Sequence, residues 1–568
     1  MKQNKKLKTK KIVKDNILKR IIIVLILLAI TIFVLIKAEN YIKEKTDGKI
    51  NLIINNKNVT ERLKNDILIE NETIYLSLSD VKNFFDKYIY VEDEINEVVT
   101  TYDKKIASIG FETNKLTING SIKKIYAHAK YEGDVVYLPI SEMSDVYNIE
   151  LENIEQSKII TIDSLNKEQI KAYAKSKISV KWKKDIFSKT VDKITKGDVL
   201  ITISEDDDGW TKIRTQNGKI GYVKTNQLTN YITVRDNWEQ EKQITGKVNM
   251  FWDYFSKYVI APDRTGQTIE GVNVVSPSFF YIDGNGNFKE NVGSSGIAYI
   301  EWAHSNGYKV WPMISNAEAA KESLKVTSEI LNSYTKRQEL IEEIVRVCAE
   351  YQIDGINIDF ENMYQADKDK YSRFIIELVP RMQELGIVTS VDVTAPDGSP
   401  TWSLCYDRNV LGDVADYLVF MAYDQYGASS DKPGTTAGLN WVETNLKKII
   451  NYDEVETEKI ILGIPFYTRQ WTVNSAGTIK DRGVVNMMNV KIPTNVEKQW
   501  DEELQQYYIE YPSGKNTIKM WIEDGSSIAA KVSLVNKYNL GGTSGWRKDM
   551  ETSNVWTIIK EELNKKAQ

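Results

Sequence analysis

Histidine and cysteine are almost missing from this 568-residue chain, which has two of each: His128, His304, Cys348 and Cys405. That excludes metal sites built on several imidazoles and hydrolytic triads repeated from domain to domain. The two cysteines lie 57 residues apart, with neither the paired spacing of a zinc site nor the density of a disulfide scaffold. Carboxylates are left to do most of the acid–base work. Excess positive charge is also lacking over most of the chain. The first twenty residues carry nine Lys/Arg against one Asp, or +8, which leaves −13 for the rest of a chain whose total is −5. An acidic bulk argues against nucleic acid as partner. With 42% apolar and 27% charged residues the composition is that of a globular protein, and the length suits three to four domains.

Long hydrophobic runs are absent except at one place. Ile21 to Ile36 is uninterrupted but for Thr31, follows the basic stretch 1–20, and lacks a small-residue cleavage site after it. The run is slightly short for a bilayer, so Arg20 and Lys37 would snorkel. It predicts a cytoplasmic basic tail over 1–20 and an uncleaved signal anchor over 21–37. The protein is then single-pass in the cell membrane, with its C-terminal bulk extracytoplasmic.

A repeat follows. Ile74-Tyr75-Leu76-Ser77-Leu78-Ser79-Asp80-Val81 matches Val136-Tyr137-Leu138-Pro139-Ile140-Ser141-Glu142-Met143 at a period of 62, each copy being followed by an alternating strand. Two copies of a small α/β unit fit residues 50–165, and they resemble the copper amine oxidase N-terminal-like module, a name that implies no copper here. Residues 176–232 turn to short alternating strands, with Asn217-Gly218 predicting a type I′ hairpin turn. The run Lys196-Gly197-Asp198, Asp208-Gly209-Trp210 and Gly221-Tyr222-Val223 resembles a bacterial SH3 domain, a small β-barrel. Trp210 reads as core rather than ligand contact.

From residue 245 to 568, eight apolar strand-like runs alternate with helical stretches: Val248 to Trp252, Val272 to Phe280, Lys309 to Ile314, Gly355 to Phe360, Val388 to Thr394, Tyr417 to Ala422, Ile460 to Phe466 and Leu540 to Gly545. Eight βα units predict an α/β fold of the (β/α)8 TIM-barrel type, with catalytic residues at the carboxyl ends of the strands. The fourth run, Asp354-Gly355-Ile356-Asn357-Ile358-Asp359-Phe360-Glu361, alternates polar with apolar residues. Period two therefore sends Asn357, Asp359 and Glu361 into the barrel and Ile356, Ile358 and Phe360 outward under the helices. Two carboxyl groups on one low-dielectric wall raise each other's pKa, which keeps one protonated as a general acid requires.

This strand resembles the active-site signature D-x-x-D-x-D-x-E of glycoside hydrolase family 18, the retaining chitinases and N-acetylglucosaminidases. The resemblance implies that Glu361 is the acid/base, Asp359 the carboxylate that orients the substrate acetamide, and Asp354 a structural acid. It departs at Asn357, where the family has an aspartate; an amide there can still donate to Asp359, but it cannot share a proton. Met421-Ala422-Tyr423-Asp424 is similar to the family's M-x-Y-D element, which implies that Tyr423 bonds the acetyl group and Asp424 contacts the same sugar. Trp546 matches the tryptophan that floors the subsite of the reacting sugar. The family's S-x-G-G is replaced by Met313-Ile314-Ser315-Asn316, so substrate contacts there do not carry over. Tyr467 and Arg469 are further cleft candidates.

Phrases such as Ile464-Pro465-Phe466-Tyr467-Thr468-Arg469, Trp521-Ile522-Glu523-Asp524 and Gly545-Trp546-Arg547 resemble the bacterial branch of spore-cortex and cell-wall lytic enzymes. The implied partner is an N-acetylglucosamine-containing polysaccharide, peptidoglycan before chitin, and no cofactor or metal is implied. Two rivals are a lectin-like wall protein that binds without cleaving and an anchored scaffold with a vestigial barrel. The presence of Glu361 opposes the first.

Overall fold

The computed structural model describes residues 24–28, 30–31, 49–206, 208–236, 243–317 and 322–565. The basic tail expected over 1–20 lies outside the described residues, as does most of the segment 21–37, of which 24–28 and 30–31 are helical. Among the described residues no helix is long and apolar enough to cross a membrane.

The chain divides into two compact units, one of residues 1–87 with 125–240 and the other of residues 88–124 with 241–568. In the first unit the repeated segments become the strands Thr73–Ser77 and Val135–Pro139, which pair antiparallel with Leu138 opposite Leu76. A short helix follows each, Leu78–Phe84 and Ser144–Tyr147. The same unit holds a seven-stranded antiparallel sheet between Gln169 and Arg235. Trp210 is 6% exposed, with the Lys224 ammonium 4.1 Å from its ring centroid, so it packs rather than presenting itself to a ligand. The turn at Asn217-Gly218 is not type I′. Only Gly218 has positive φ (74°), and the Thr215 amide bonds the Lys219 carbonyl while the Gly218 amide bonds Thr215. That is a three-residue loop with glycine at the left-handed position, the geometry of a type I turn followed by a bulge.

In the second unit eight parallel strands close a barrel: Val248–Asp253, Val274–Pro277, Lys309–Val310 continued by Met313–Ser315, Gly355–Asp359, Val388–Val393, Tyr417–Met421, Ile460–Pro465 and Gly542–Trp546. The ring closes where Phe251 pairs with Gly545. The third strand is interrupted at Pro312, which has no N–H to give to a ladder; its first part pairs with the second strand and its second part with the fourth. Alternation sorts the side chains into two cores. Met250, Trp252, Trp311, Met313, Val419, Met421 and Ile461 fill the interior, while Phe251, Ile356, Ile358, Phe360, Val391 and Val393 pack under the helices. The helix Tyr334–Tyr351 buries Leu340, Ile341, Ile344, Val347 and Cys348 on one face, starts at the Ser333 hydroxyl, which accepts from the Lys336 amide, and stops at Gln352 in the left-handed region.

Two additions to the barrel were not foreseen. A five-stranded antiparallel sheet between Tyr467 and Ile522 is inserted after the seventh strand. The other is the five-stranded meander from Tyr90 to Lys124, which lies within the repeat module by sequence but packs on the barrel helices. Its Tyr90 hydroxyl donates to Glu377 at 2.8 Å and its Glu92 accepts from Arg337 at 3.2 Å, while Arg337 Nε donates to Glu377 at 2.9 Å. Glu94 caps the helix Tyr334–Tyr351, accepting from the amides of Tyr334 and Thr335 at 2.6 and 3.0 Å. Arg337 and Glu377 have side chains only 1% and 0% exposed, so each needs the other. Arg337→Met is expected to lower unfolding stability by about 3–5 kcal/mol, because it leaves a buried carboxylate without its cation. Urea unfolding measures this, and a loss below about 1 kcal/mol would contradict it.

Candidate active site

The fourth strand is held close to its neighbours by Gly355, where a Cβ would sit 2.4 Å from the Trp311 ring. Its inward residues behave as alternation requires. Asn357 is fully buried, Asp359 is 8% exposed, and Glu361 stands half-buried just beyond the strand's end. Asn316, at the end of the third strand, grips the backbone of Glu361 from both sides. Its Oδ1 accepts from the Glu361 amide and its Nδ2 donates to the Glu361 carbonyl, both at 2.9 Å. The next residue, Asn362, takes a left-handed turn with φ 53°.

Asn357 does not donate to Asp359, as the sequence suggested. Its Oδ1 accepts from the Trp252 indole at 2.8 Å, and its Nδ2 donates to Asp392 Oδ1 at 2.7 Å and Ser390 Oγ at 3.1 Å on the fifth strand. An indole N–H can only donate, so it fixes which way the amide faces. Asp359 Oδ1 is left buried with no hydrogen-bond partner.

Burial pushes the Asp359 carboxyl up to about 7. Glu361 is raised well above its ordinary value, first by burial and then by the nearby charges of Asp359, Asp392 and Asp424. Burial, then Asp359, does the same to Asp392. A protonated carboxyl at neutral pH is the state a general acid needs.

Tyr423 and Asp424 follow the sixth strand. The Tyr423 ring lies 6.5 Å from that of Trp546 and edge-on to Trp252 at 6.4 Å. Burial raises the Tyr423 phenol, and the neighbouring Asp392 and Glu361 add to it, so the hydroxyl keeps its proton for donation. Asp424 sits at φ 58° and accepts from the Tyr467 hydroxyl at 2.8 Å and from Arg469 at 3.4 Å. The inserted sheet thus supplies two groups that hold this carboxylate.

A cavity of about 270 Å³ brings together Asp359, Glu361, Tyr423, Asp424, Tyr467 and Trp546 from the fourth, sixth, seventh and eighth strand ends. That is near the lower end of ligand pockets, roughly 300–1,000 Å³. Asn357 lies beneath this group and Arg469 behind Asp424; neither lines the cavity. Asp354 is at the strand's opposite end. It accepts from Lys309 at 2.7 Å and from the Val310 amide at 3.0 Å, and contacts His304 at 2.8 Å. Against burial that would raise it, those partners hold its carboxyl below the usual range.

Three kinds of residue escaped the sequence reading. Asp392 lines the cavity from the fifth strand and Thr394 from just beyond its end, and Ser390, Asp392 and Thr394 alternate as clearly as the fourth strand's polar residues. Asn316 marked a departure from a motif and is a clamp instead. Trp402 and Trp441 reach the cavity from outside the barrel strands, where no local pattern announces them.

Residues 53–162 match the copper amine oxidase N-terminal domain. A glycosylase of Bacillus subtilis (strain 168), YvbX, recorded as uncharacterized, is 25% identical over 301 residues, 51% of this chain and 84% of the relative. The cortical fragment-lytic enzyme of the same organism is 28% identical over 262 residues, 44% of this chain and 59% of the relative. A chitinase structure from Chromobacterium violaceum ATCC 12472 is 24% identical with a TM-score of 0.49, covering 56% of this chain and all of that one. The family model of glycosyl hydrolases family 18 matches residues 236–551, more than half of the 568, and the chain therefore belongs to that family of glycosidases.

Proposed function

We propose that this chain is a membrane-anchored, extracytoplasmic glycosidase that cleaves β-1,4 bonds at N-acetylglucosamine, with peptidoglycan as the polymer and retention of configuration. The observation that carries this reading is the shared cavity of Glu361 and Asp359, both raised in pKa, beside Tyr423 and Trp546. The likeness to cortical fragment-lytic enzymes favours peptidoglycan over chitin.

In the proposed reaction Glu361 gives its proton to the leaving glycosidic oxygen, while the 2-acetamido oxygen of the sugar on the other side of that bond attacks its own anomeric carbon. The sugar supplies the nucleophile, so the distance rule that separates retaining from inverting carboxylate pairs does not apply to Asp359 and Glu361. Asp359 faces the acetamide N–H and stabilises the positive charge that develops there. Tyr423 holds the acetyl oxygen in line, and the Trp546 indole carries the apolar face of the ring. Water then opens the oxazolinium intermediate with Glu361 as base. Asp424 contacts the same sugar, steadied by Tyr467 and Arg469.

The apolar run 21–36 supports a signal anchor with the bulk of the chain outside. The β-rich domain over 176–232 supports the SH3-like reading. Tethering and wall-directed modules raise the effective concentration of the enzyme at its polymer. Digestion of purified peptidoglycan by the full-length chain, followed by mass analysis, tests the reading. New reducing ends at N-acetylglucosamine are expected; retention of the protein on the polymer without cleavage would replace it with the lectin-like alternative.

A further inference from the structure

The family's signature carries a second aspartate two residues before Asp359, and this chain has Asn357 there. A carboxyl group nevertheless stands beside Asp359, one strand over. Ile358 pairs with Val391 in parallel register, so the residues that follow them, Asp359 and Asp392, stand level on neighbouring strands. Strand spacing puts their backbones about 4.8 Å apart. Both face the interior: Val391 and Val393 belong to the outer core, and Asp392, 1% exposed, receives the Asn357 amide.

Asn357 Nδ2 donates to Asp392 Oδ1, and the Trp252 indole, which donates to Asn357 Oδ1, also acts on the Asp392 carboxyl. On the neighbouring strand, Asp359 Oδ1 is buried without a hydrogen-bond partner. The titratable groups acting among these side chains are Asp359 and Glu361 from the fourth strand, Tyr423 from the sixth, Tyr371 from the helix Lys368–Glu384 and Tyr406 from the segment after the fifth strand. None is a cation, so the charge of two adjacent carboxylates is relieved by a proton.

We propose that Asp392 is a positioning acid that shares one proton with Asp359, the part an asparagine at 357 cannot play. The proton resides between the two carboxyl groups in the free enzyme. As positive charge develops on the bound acetamido group, it passes wholly to Asp392 and leaves Asp359 ionised against that charge. When water opens the intermediate it returns. One proton is moved and restored, and no bond to the substrate is made by Asp392. The raised pKa of both groups agrees with a pair that holds one proton near neutrality. Asn357 becomes the fixed donor that orients Asp392.

This rests on the hydrolase reading, and the test separates the two. In the full-length chain, with an aryl glycoside of N,N′-diacetylchitobiose as probe, Asp392→Asn is expected to lower kcat about 100-fold with KM changed by less than about twofold, and the kcat–pH profile is expected to lose one ionisation. The double variant Asn357→Asp/Asp392→Asn, which returns the carboxylate to the fourth strand, is expected to recover both rate and ionisation. An Asp392→Asn enzyme that keeps the wild-type profile, or a loss that Asn357→Asp does not reverse, would overturn the proposal. Where the wild-type chain leaves the probe intact, the same comparison is made on purified peptidoglycan; should it cleave neither, the hydrolase reading falls, and the shared proton is read instead from the infrared carboxylic-acid stretch near neutral pH. A weaker band in Asp392→Asn than in wild type supports the pair; equal bands overturn it.

Discussion

Glu361→Gln is expected to turn over an N-acetylglucosaminyl substrate at least about a hundredfold more slowly than wild type, the lower range for loss of an acid–base group. Glutamine fits the space and cannot give up a proton, so substrate binding should survive with KM little changed. The barrel should survive too. Glu361 is raised by burial and by Asp359, Asp392 and Asp424, so the folded chain keeps its proton to higher pH than the unfolded chain, whose group titrates near 4.5. Stability supplied by that proton is complete below the unfolded value and is lost as pH rises toward the folded one. The amide introduced by Glu361→Gln does not titrate, so the variant is expected to melt higher than wild type at alkaline pH, with the difference closing near the unfolded value of about 4.5. Slow turnover combined with a raised melting temperature marks Glu361 as a catalytic group held at a cost to the fold. A variant at near-wild-type rate would remove it from that role.

The second large effect belongs to the substrate. If the acetamido oxygen is the nucleophile, the same glycoside with a 2-hydroxyl in place of the acetamido group should be cleaved slower by roughly 10³-fold or more, because no positioned protein group replaces the lost intramolecular attack. Within the cavity the other carboxylates have different tasks: Asp359 and Asp392 stand level on neighbouring strands, Asp424 is tied to Tyr467 and Arg469, and Asp397 accepts from the Ser399 amide and hydroxyl. Comparable cleavage of the plain glucoside, measured by initial rates at matched saturation, would assign the nucleophile to the protein.

The barrel was legible because parallel strands buried on both faces read as apolar runs, and all eight runs became strands. The fourth strand was legible at the level of single side chains, since its polar residues alternate and period two fixes their direction. Partners across strands were not. Whether Asn357 faces Asp359 or Asp392 depends on the register between the fourth and fifth strands, which neither segment encodes alone. The polar alternation of Ser390, Asp392 and Thr394 was open to the same reasoning and marks the fifth strand as a second polar wall. The packing of Tyr90 and Glu92 against Arg337 and Glu377 joins residues some 245 to 287 positions apart, and no periodicity reports such a contact. At Asn217-Gly218 the dipeptide announced a turn, but the number of residues between the last paired positions, Arg214 and Ile220, set its type.

The most direct measurement is the configuration of the sugar released at first turnover, followed by proton NMR as full-length protein digests a short N-acetylglucosamine oligomer. Attack by the acetamido oxygen and then by water inverts the anomeric carbon twice, so the β-anomer should appear first and drift toward the equilibrium mixture. Initial appearance of the α-anomer would contradict the mechanism, and no sugar released from either this oligomer or purified peptidoglycan would contradict the assignment of Glu361 and Asp359 to catalysis.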